Sequence, residues 1–236
     1  MQYPANLQKG DKVCFIAPAR KVSPQELKNA ISILEAWGLQ VVETPNLYLE
    51  DHQFAGDDLK RSEHVQWALD HPDIKALFCV RGGYGTSRII DQLSFDKLKN
   101  RLKWLVGFSD ITILLSEFFN NGICSLHAPV ALLFDQIGNE HAMNSLKEVL
   151  FYRQGFMLSA PPIGLNKQGE AKGKLVGGNL SVLVDQIGKF LPDKDLSNPC
   201  NMLDMHFFKE IKRFKNPLNF FSQSHLTFTA FFREIL

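Results

Sequence analysis

Apolar residues in the first 135 positions come in two alternating textures: short unbroken runs, and longer stretches with apolar side chains three or four apart. Residues 12–17 (KVCFIA) form a run too short for a helix and predict a buried strand. Ser23 and Pro24 then supply an N-cap and a proline at the first helical position. Leu27, Ala30, Ile31 and Leu34 share one helical face, and Gly38 marks the stop. Residues 39–43 read as a second strand. A helix capped by Asp57 or Asp58 runs to about Asp70, with Leu59, Val65, Trp67 or Ala68, and Leu69 facing inward, until His71-Pro72-Asp73 breaks it. Residues 76–80 (ALFCV) are a strand, followed by a glycine-rich turn and a helical stretch over 87–93. A further strand at 104–108 (WLVGF) leads to a helix over about 110–120, and 124–126 resumes extended structure. This alternation predicts an α/β fold, a Rossmann-like and mostly parallel sheet with helices on both faces.

The texture changes from Ala160. Residues 1–159 are read as the N-terminal α/β domain, 160–173 as a linker, and 174–236 as a smaller C-terminal domain. Within the last, 174–176 predict a strand and 177–181 (GGNLS) a turn into a helix toward Gly188. Residues 189–236 hold nine of the nineteen phenylalanines and no glycine, where average usage of about 7% predicts roughly three. The C-terminal domain is therefore expected to be incomplete, truncated or frame-disrupted after about residue 188.

Composition narrows the chemistry. With 236 residues the chain is one large domain or two small ones, with enough apolar side chains for a sizeable core. Lys and Arg number 26 against 25 Asp and Glu, a balance that disfavours a nucleic-acid partner. No apolar run reaches the roughly 18–20 residues of a membrane helix, and the start carries no secretory signal, so no membrane partner is expected. Cys14, Cys79, Cys124 and Cys200 are widely spaced, which fits a reducing compartment, the cytoplasm, and offers no zinc framework. His52, His64, His71, His141, His206 and His225 show no metal-ligand spacing. Neither a metal nor a cofactor is expected.

Two segments carry candidate chemistry. Residues 104–115 (WLVGFSDITILL) put Ser109 and Asp110 between a strand and a helix. A serine on such an elbow projects its hydroxyl above the carboxyl edge of the sheet, near helix N-terminal N–H groups that stabilise an oxyanion. Capping of the helix by Ser109 or Asp110 explains the same residues and, on the elbow alone, is the commoner role. Residues 80–88 (VRGGYGTSR) lack the third glycine of the dinucleotide fingerprint and the lysine of a P-loop. They read either as a tight strand–helix turn or as a ligand-facing turn donating N–H groups. Arg81 and Arg88 suit a substrate carboxylate, or equally a structural pairing with Asp91 or Asp110. His127, at a strand end, is a general base or, more commonly for a lone histidine, a hydrogen-bonded structural residue.

In order along the chain, GDKVCFIAPA, IKALFCVRGGYGTSRIID, WLVGFSDITILL, SLHAPV and GKLVGGNLSVL closely resemble the serine L,D-carboxypeptidase family. That family includes murein tetrapeptide carboxypeptidases and microcin-immunity peptidases, and the resemblance covers roughly residues 10–188. It implies that Ser109 is the nucleophile and that the N–H groups of Gly83 and Asp110 are oxyanion donors. It implies a Rossmann-like N-terminal domain and a smaller C-terminal one, with the active site between them. The implied reaction hydrolyses the amide between an L-centre and a terminal D-amino acid, typically releasing D-alanine from a muropeptide tetrapeptide in cytoplasmic peptidoglycan recycling. The partner is thus a small-molecule or peptide substrate, and a homodimer is left open. In the family a histidine oriented by a glutamate, both from the C-terminal domain, serves as base. Here residues 201–206 (NMLDMH) fall near the glutamate strand without an L-E-D motif, Glu210 is out of context, and His225 sits in an unmatched setting. Neither base nor orienter is assigned, which predicts little hydrolytic activity. The alternatives are a microcin-type immunity peptidase acting on peptidyl-nucleotide amides and a non-catalytic muropeptide-binding remnant.

Overall fold

The computed structural model describes residues 1–152, 157–158, 176–186, 202–203 and 230–231. The chain divides into two compact units, Met1–Tyr152 and Arg153–Leu236. The expected linker at 160–173, and Asp204, His206, Glu210 and His225 of the tail, lie outside the described residues.

In the first unit, β1 (Lys12–Ile16), β2 (Gln40–Val42), β3 (Ile74–Cys79), β4 (Trp104–Gly107) and β5 (Leu126–His127) form one sheet in the order β2-β1-β3-β4-β5. Every pairing in it is parallel. The register aligns Val13 with Ala76, Phe15 with Phe78, Ala76 with Trp104 and Phe78 with Val106. These side chains share a face. They join Leu27, Ala30 and Leu34 of α1 (Pro24–Ala36) and Met143, Leu146 and Leu150 of α4 (Glu140–Tyr152) in one buried cluster. The alternate row, Cys14, Ile16, Leu77, Cys79 and Leu105, is buried as well. On that side α2 (Asp58–Asp70) packs against β1, and α3 (Thr112–Asn120) against β4 and β5. Burial of both rows is why these strands read as unbroken apolar runs. It also pushes the Cys14 thiol up to about 12 and the Cys79 thiol well above its ordinary value, leaving both as core hydrophobes.

The helix starts follow the local chemistry. Ser23 and Glu26 make a reciprocal capping box ahead of Pro24, and the Asp57 carboxylate accepts the Lys60 N–H at 2.7 Å. The inward face of α2 differs from expectation. Leu59 is 59% exposed, while Arg61 and His64 are buried beside Val65, Ala68 and Leu69. The Arg61 Nη atoms and both His64 ring nitrogens find partners, so these residues take inward positions that an apolar stripe would otherwise fill. Residues 87–93 also depart from a single helix: two 3₁₀ turns, Thr86–Arg88 and Ile90–Gln92, replace it. The buried Thr86 and Ile89 lie three residues apart, the spacing such a turn aligns. Helix α4 extends the unit past the predicted alternation.

In the second unit β6 (Met157–Leu158) pairs antiparallel with β9 (Ala230–Phe231), and β7 (Val176–Gly177) pairs parallel with β8 (Met202–Leu203). Asn179 caps α5 (Leu180–Asp185), its Oδ1 accepting the Val182 N–H at 3.2 Å, as the GGNLS turn predicts. Among the described residues no helix is long and apolar enough to cross a membrane.

His64 ties the end of β1 to α2. Its Nε2 accepts the Ala17 N–H at 3.0 Å, and its Nδ1 lies 2.6 Å from the Pro45 carbonyl oxygen, to which it donates. That arrangement requires the neutral ring, and burial pushes its pKa down to about 4. Below about pH 6.5 the unfolded chain binds a proton that the native state refuses. Stability is therefore whole above pH 6.5 and falls by about 3 kcal/mol in all as pH drops toward 4. Urea denaturation at pH 7 and pH 4.5 is expected to show this loss, and His64→Gln, which does not titrate, is expected to shrink it. An equal acid loss in the variant would assign the effect elsewhere.

Candidate active site

The strand order turns at β1 and β3, and in open parallel sheets ligands bind beyond the carboxyl ends of strands at such a point. Three loops meet there: Ala17–Arg20 after β1, Val80–Gly85 after β3, and Phe108–Asp110 after β4. Ser109 sits on the last, half-buried, with φ of +66°. A non-glycine residue in the left-handed region stores backbone strain, as nucleophile elbows do.

The capping explanation of Ser109 and Asp110 does not hold. Neither the 3₁₀ turn Ser109–Ile111 nor α3 has a side-chain cap bond. Ser109 Oγ makes no hydrogen bond among the described residues. The Asp110 side chain, 4% exposed, reaches across to the glycine turn, where its Oδ2 accepts the Thr86 N–H at 2.9 Å. It thereby fastens the elbow to the turn.

The turn itself lies against the serine. A β-carbon added to Gly82 would stand 3.0 Å from Ser109 Cβ and 3.2 Å from Oγ. Gly83 follows with φ of +116°, and a β-carbon there would stand 2.7 Å from both Cδ and Nε of Arg20. Among the described residues the N–H groups of Gly83 and Asp110 have no intramolecular acceptor.

Arg61 braces this geometry from below. Its fully buried Nη1 donates to the carbonyls of Pro18 and, at 2.8 Å, Gly85, and its Nη2 pairs with Asp58. Asp58 also pairs with Arg88 at 2.8 Å, and the Arg61 and Arg88 guanidiniums stand 4.9 and 5.0 Å from the Phe54 ring centre. Partial burial opposes ionisation of Asp58, but the two arginines outweigh it and hold its carboxyl below the usual range.

The arginines singled out in the sequence are thus committed to scaffolding, though to other partners than Asp91 or Asp110. Arg88 takes Asp58. Arg81 donates to the Lys21 carbonyl at 3.3 Å and stands 4.0 Å from Glu26. His127 packs its ring 6.1 Å from that of Phe108 and is not hydrogen-bonded to Ser109. Arg20 escaped the sequence reading, although a cation directly behind a buried strand's carboxyl end was signal enough to find it. Arg61 carried no such signal, since nothing local marks a helical arginine as buried. Among the described residues no three His, Cys, Asp or Glu side chains gather as metal ligands.

Residues 13–128 match the family described as the LD-carboxypeptidase N-terminal domain. The chain is 32% identical over 186 residues to the murein tetrapeptide carboxypeptidase of Pseudomonas aeruginosa, a match covering 75% of this chain and 60% of that protein. The solved muramoyltetrapeptide carboxypeptidase of Oxalobacter formigenes superposes with a TM-score of 0.67 at 28% identity, covering 77% of this chain and 62% of the other. A MccF-like protein of Bacillus anthracis shares the fold, with a TM-score of 0.73 at 22% identity over 82% of this chain and 67% of its own. The matches span about three fifths of the length of the curated relatives.

Proposed function

We propose that this chain, whose residues 13–128 match the LD-carboxypeptidase N-terminal domain, is a serine peptidase hydrolysing the amide between an L-centre and a terminal D-amino acid. The substrate in this reading is a muropeptide tetrapeptide, cut with release of D-alanine during cytoplasmic peptidoglycan recycling. The observation that carries the proposal is Ser109: strained, partly exposed, free of any capping bond, and bordered by the glycine turn.

In this mechanism Ser109 Oγ attacks the scissile carbonyl carbon as its proton leaves to a base. The carbonyl oxygen, now an oxyanion, takes hydrogen bonds from the N–H groups of Gly83 and Asp110, at the positive end of the turn leading into α3. Collapse of the tetrahedral intermediate expels the D-amino acid with a proton on its amine, and water then hydrolyses the acyl-enzyme. Asp110 contributes its backbone to the oxyanion and its carboxylate to the Thr86 N–H, so the elbow and the turn move as one body. The family draws its base and orienter, a histidine and a glutamate, from the C-terminal part; neither is assigned in this chain, and Asp204, His206, Glu210 and His225 lie outside the described residues.

The direct test incubates the full chain with a muropeptide tetrapeptide ending in D-alanine and with its L-alanine-terminated isomer, and reads the products by mass spectrometry. D-alanine release from the first substrate alone, slow because no base is assigned, is the expected result. No release, or equal release from both, overturns the proposal. Gly82→Ala is expected to lower kcat about 100-fold with little effect on stability, because its methyl occupies the space beside Ser109 Oγ and shifts the attacking atom. An unchanged kcat would place the reacting groups elsewhere.

A further inference from the structure

Resting on the peptidase reading above, we propose that Arg20 is the residue that receives the free terminal carboxylate of the departing D-residue.

The backbone around Arg20 is fixed. Arg20 bridges Phe54, and its neighbours are tied on both sides, Ala55 N–H to the Ala19 carbonyl at 3.1 Å and Lys21 N–H to the Gln53 carbonyl at 3.1 Å. From there the side chain lies along Gly83, close enough that any β-carbon at that position would collide with its Cδ and Nε. Gly82 and Gly83 have Cα atoms about 3.8 Å apart; one borders Ser109 and the other borders Arg20. A terminal carboxylate lies one residue beyond the scissile carbonyl, and Ser109 and Arg20 likewise flank consecutive residues of the turn.

Charge pairing singles out the same residue. Of the cations around the turn, Arg61 and Arg88 share Asp58, Lys21 pairs with Glu50 at 2.6 Å, and Arg81 stands by Glu26 and the Lys21 carbonyl. Arg20 is exposed and has neither a carboxylate nor a carbonyl partner among the described residues. A guanidinium held in place without a counter-charge, beside an oxyanion turn, is suited to bidentate capture of a planar carboxylate. A lysine there would give only a point charge.

The test compares the tetrapeptide bearing a free D-alanine carboxylate with the same peptide as its C-terminal amide, in the full chain and in Arg20→Met and Arg20→Lys. The wild type is expected to prefer the free acid. Arg20→Met is expected to raise KM for the acid at least tenfold with kcat within about threefold, and to erase the preference over the amide, with Arg20→Lys in between. An unchanged KM in Arg20→Met, or a wild type indifferent to the terminal group, overturns the inference while leaving Ser109-dependent hydrolysis standing. If no hydrolysis depends on Ser109, the peptidase reading fails by itself, and calorimetric binding of the two peptides to the wild type and to Arg20→Met decides this one. Tighter binding of the acid that Arg20→Met loses upholds it, and binding of neither peptide, or of both alike, overturns it.

Discussion

Ser109→Ala is expected to lower kcat for D-alanine release more than tenfold, to the background that the proposed oxyanion donors and substrate binding supply, while KM stays within a few fold. Removing the nucleophile of a serine hydrolase leaves only the rate that the oxyanion donors and substrate binding supply, roughly 10³–10⁴ over water. Among the described residues the adjacent Asp110 carboxylate does not replace it, being engaged with Thr86. Retention of more than a tenth of the wild-type kcat would remove Ser109 from the nucleophile's role. The backbone supplies an independent check. At φ of +66° a β-carbon costs about 1 kcal/mol relative to glycine. Ser109→Gly is thus expected to be more stable than Ser109→Ala by about 1 kcal/mol in urea denaturation, though equally inactive. In the proposed mechanism the reacting residue has left-handed backbone, so stability is traded for placement of the hydroxyl.

Much of this was legible before any coordinates. The strands betray themselves because both sheet faces are covered, so Phe15, Phe78 and Val106 have apolar neighbours along the chain as well as across it. Ser23, Pro24 and Asp57 announce helix starts because capping is a local affair of three or four residues. The elbow and the glycine turn were visible as motifs, and their roles rest on backbone conformation that serine and glycine advertise. What stayed hidden depends on long-range pairing. Arg61 and His64 look solvent-facing on an acidic and basic helix, and only the carbonyls of Pro18, Gly85 and Pro45, brought in from other loops, make their burial affordable. Leu59 was assigned inward for the complementary reason: hydrophobicity ranks residues singly, whereas burial is decided by which face holds the better partners. Asp58 was read as a cap, yet it pairs with two arginines whose neighbourhood no spacing rule predicts.

Arg61→Met is expected to destabilise the protein by about 3 kcal/mol. The substituted side chain conserves the apolar stem but loses the guanidinium's contact with the Phe54 ring, and it leaves the Pro18 carbonyl without its Arg61 donor and the Gly85 carbonyl with the Arg88 N–H at 3.1 Å. Truncating one partner of a buried charge pair typically costs 3–5 kcal/mol; here Asp58 is partly exposed and keeps Arg88, which places the effect at the lower end. Asp58→Asn is expected to cost less than half as much, because Arg61 retains both carbonyls. Urea denaturation of the two variants reads the difference, and equal costs would show that the ion pair, rather than the carbonyl clamp, is what matters. The clamp also has a kinetic signature. Arg61 joins the loop after β1 to the turn whose Gly82 borders Ser109, so its loss is expected to loosen the proposed oxyanion donors even in molecules that remain folded. At a temperature where the variant is fully native, kcat is expected to fall about tenfold with KM for the muropeptide less affected. A kcat per folded molecule equal to that of the wild type would confine Arg61 to stability.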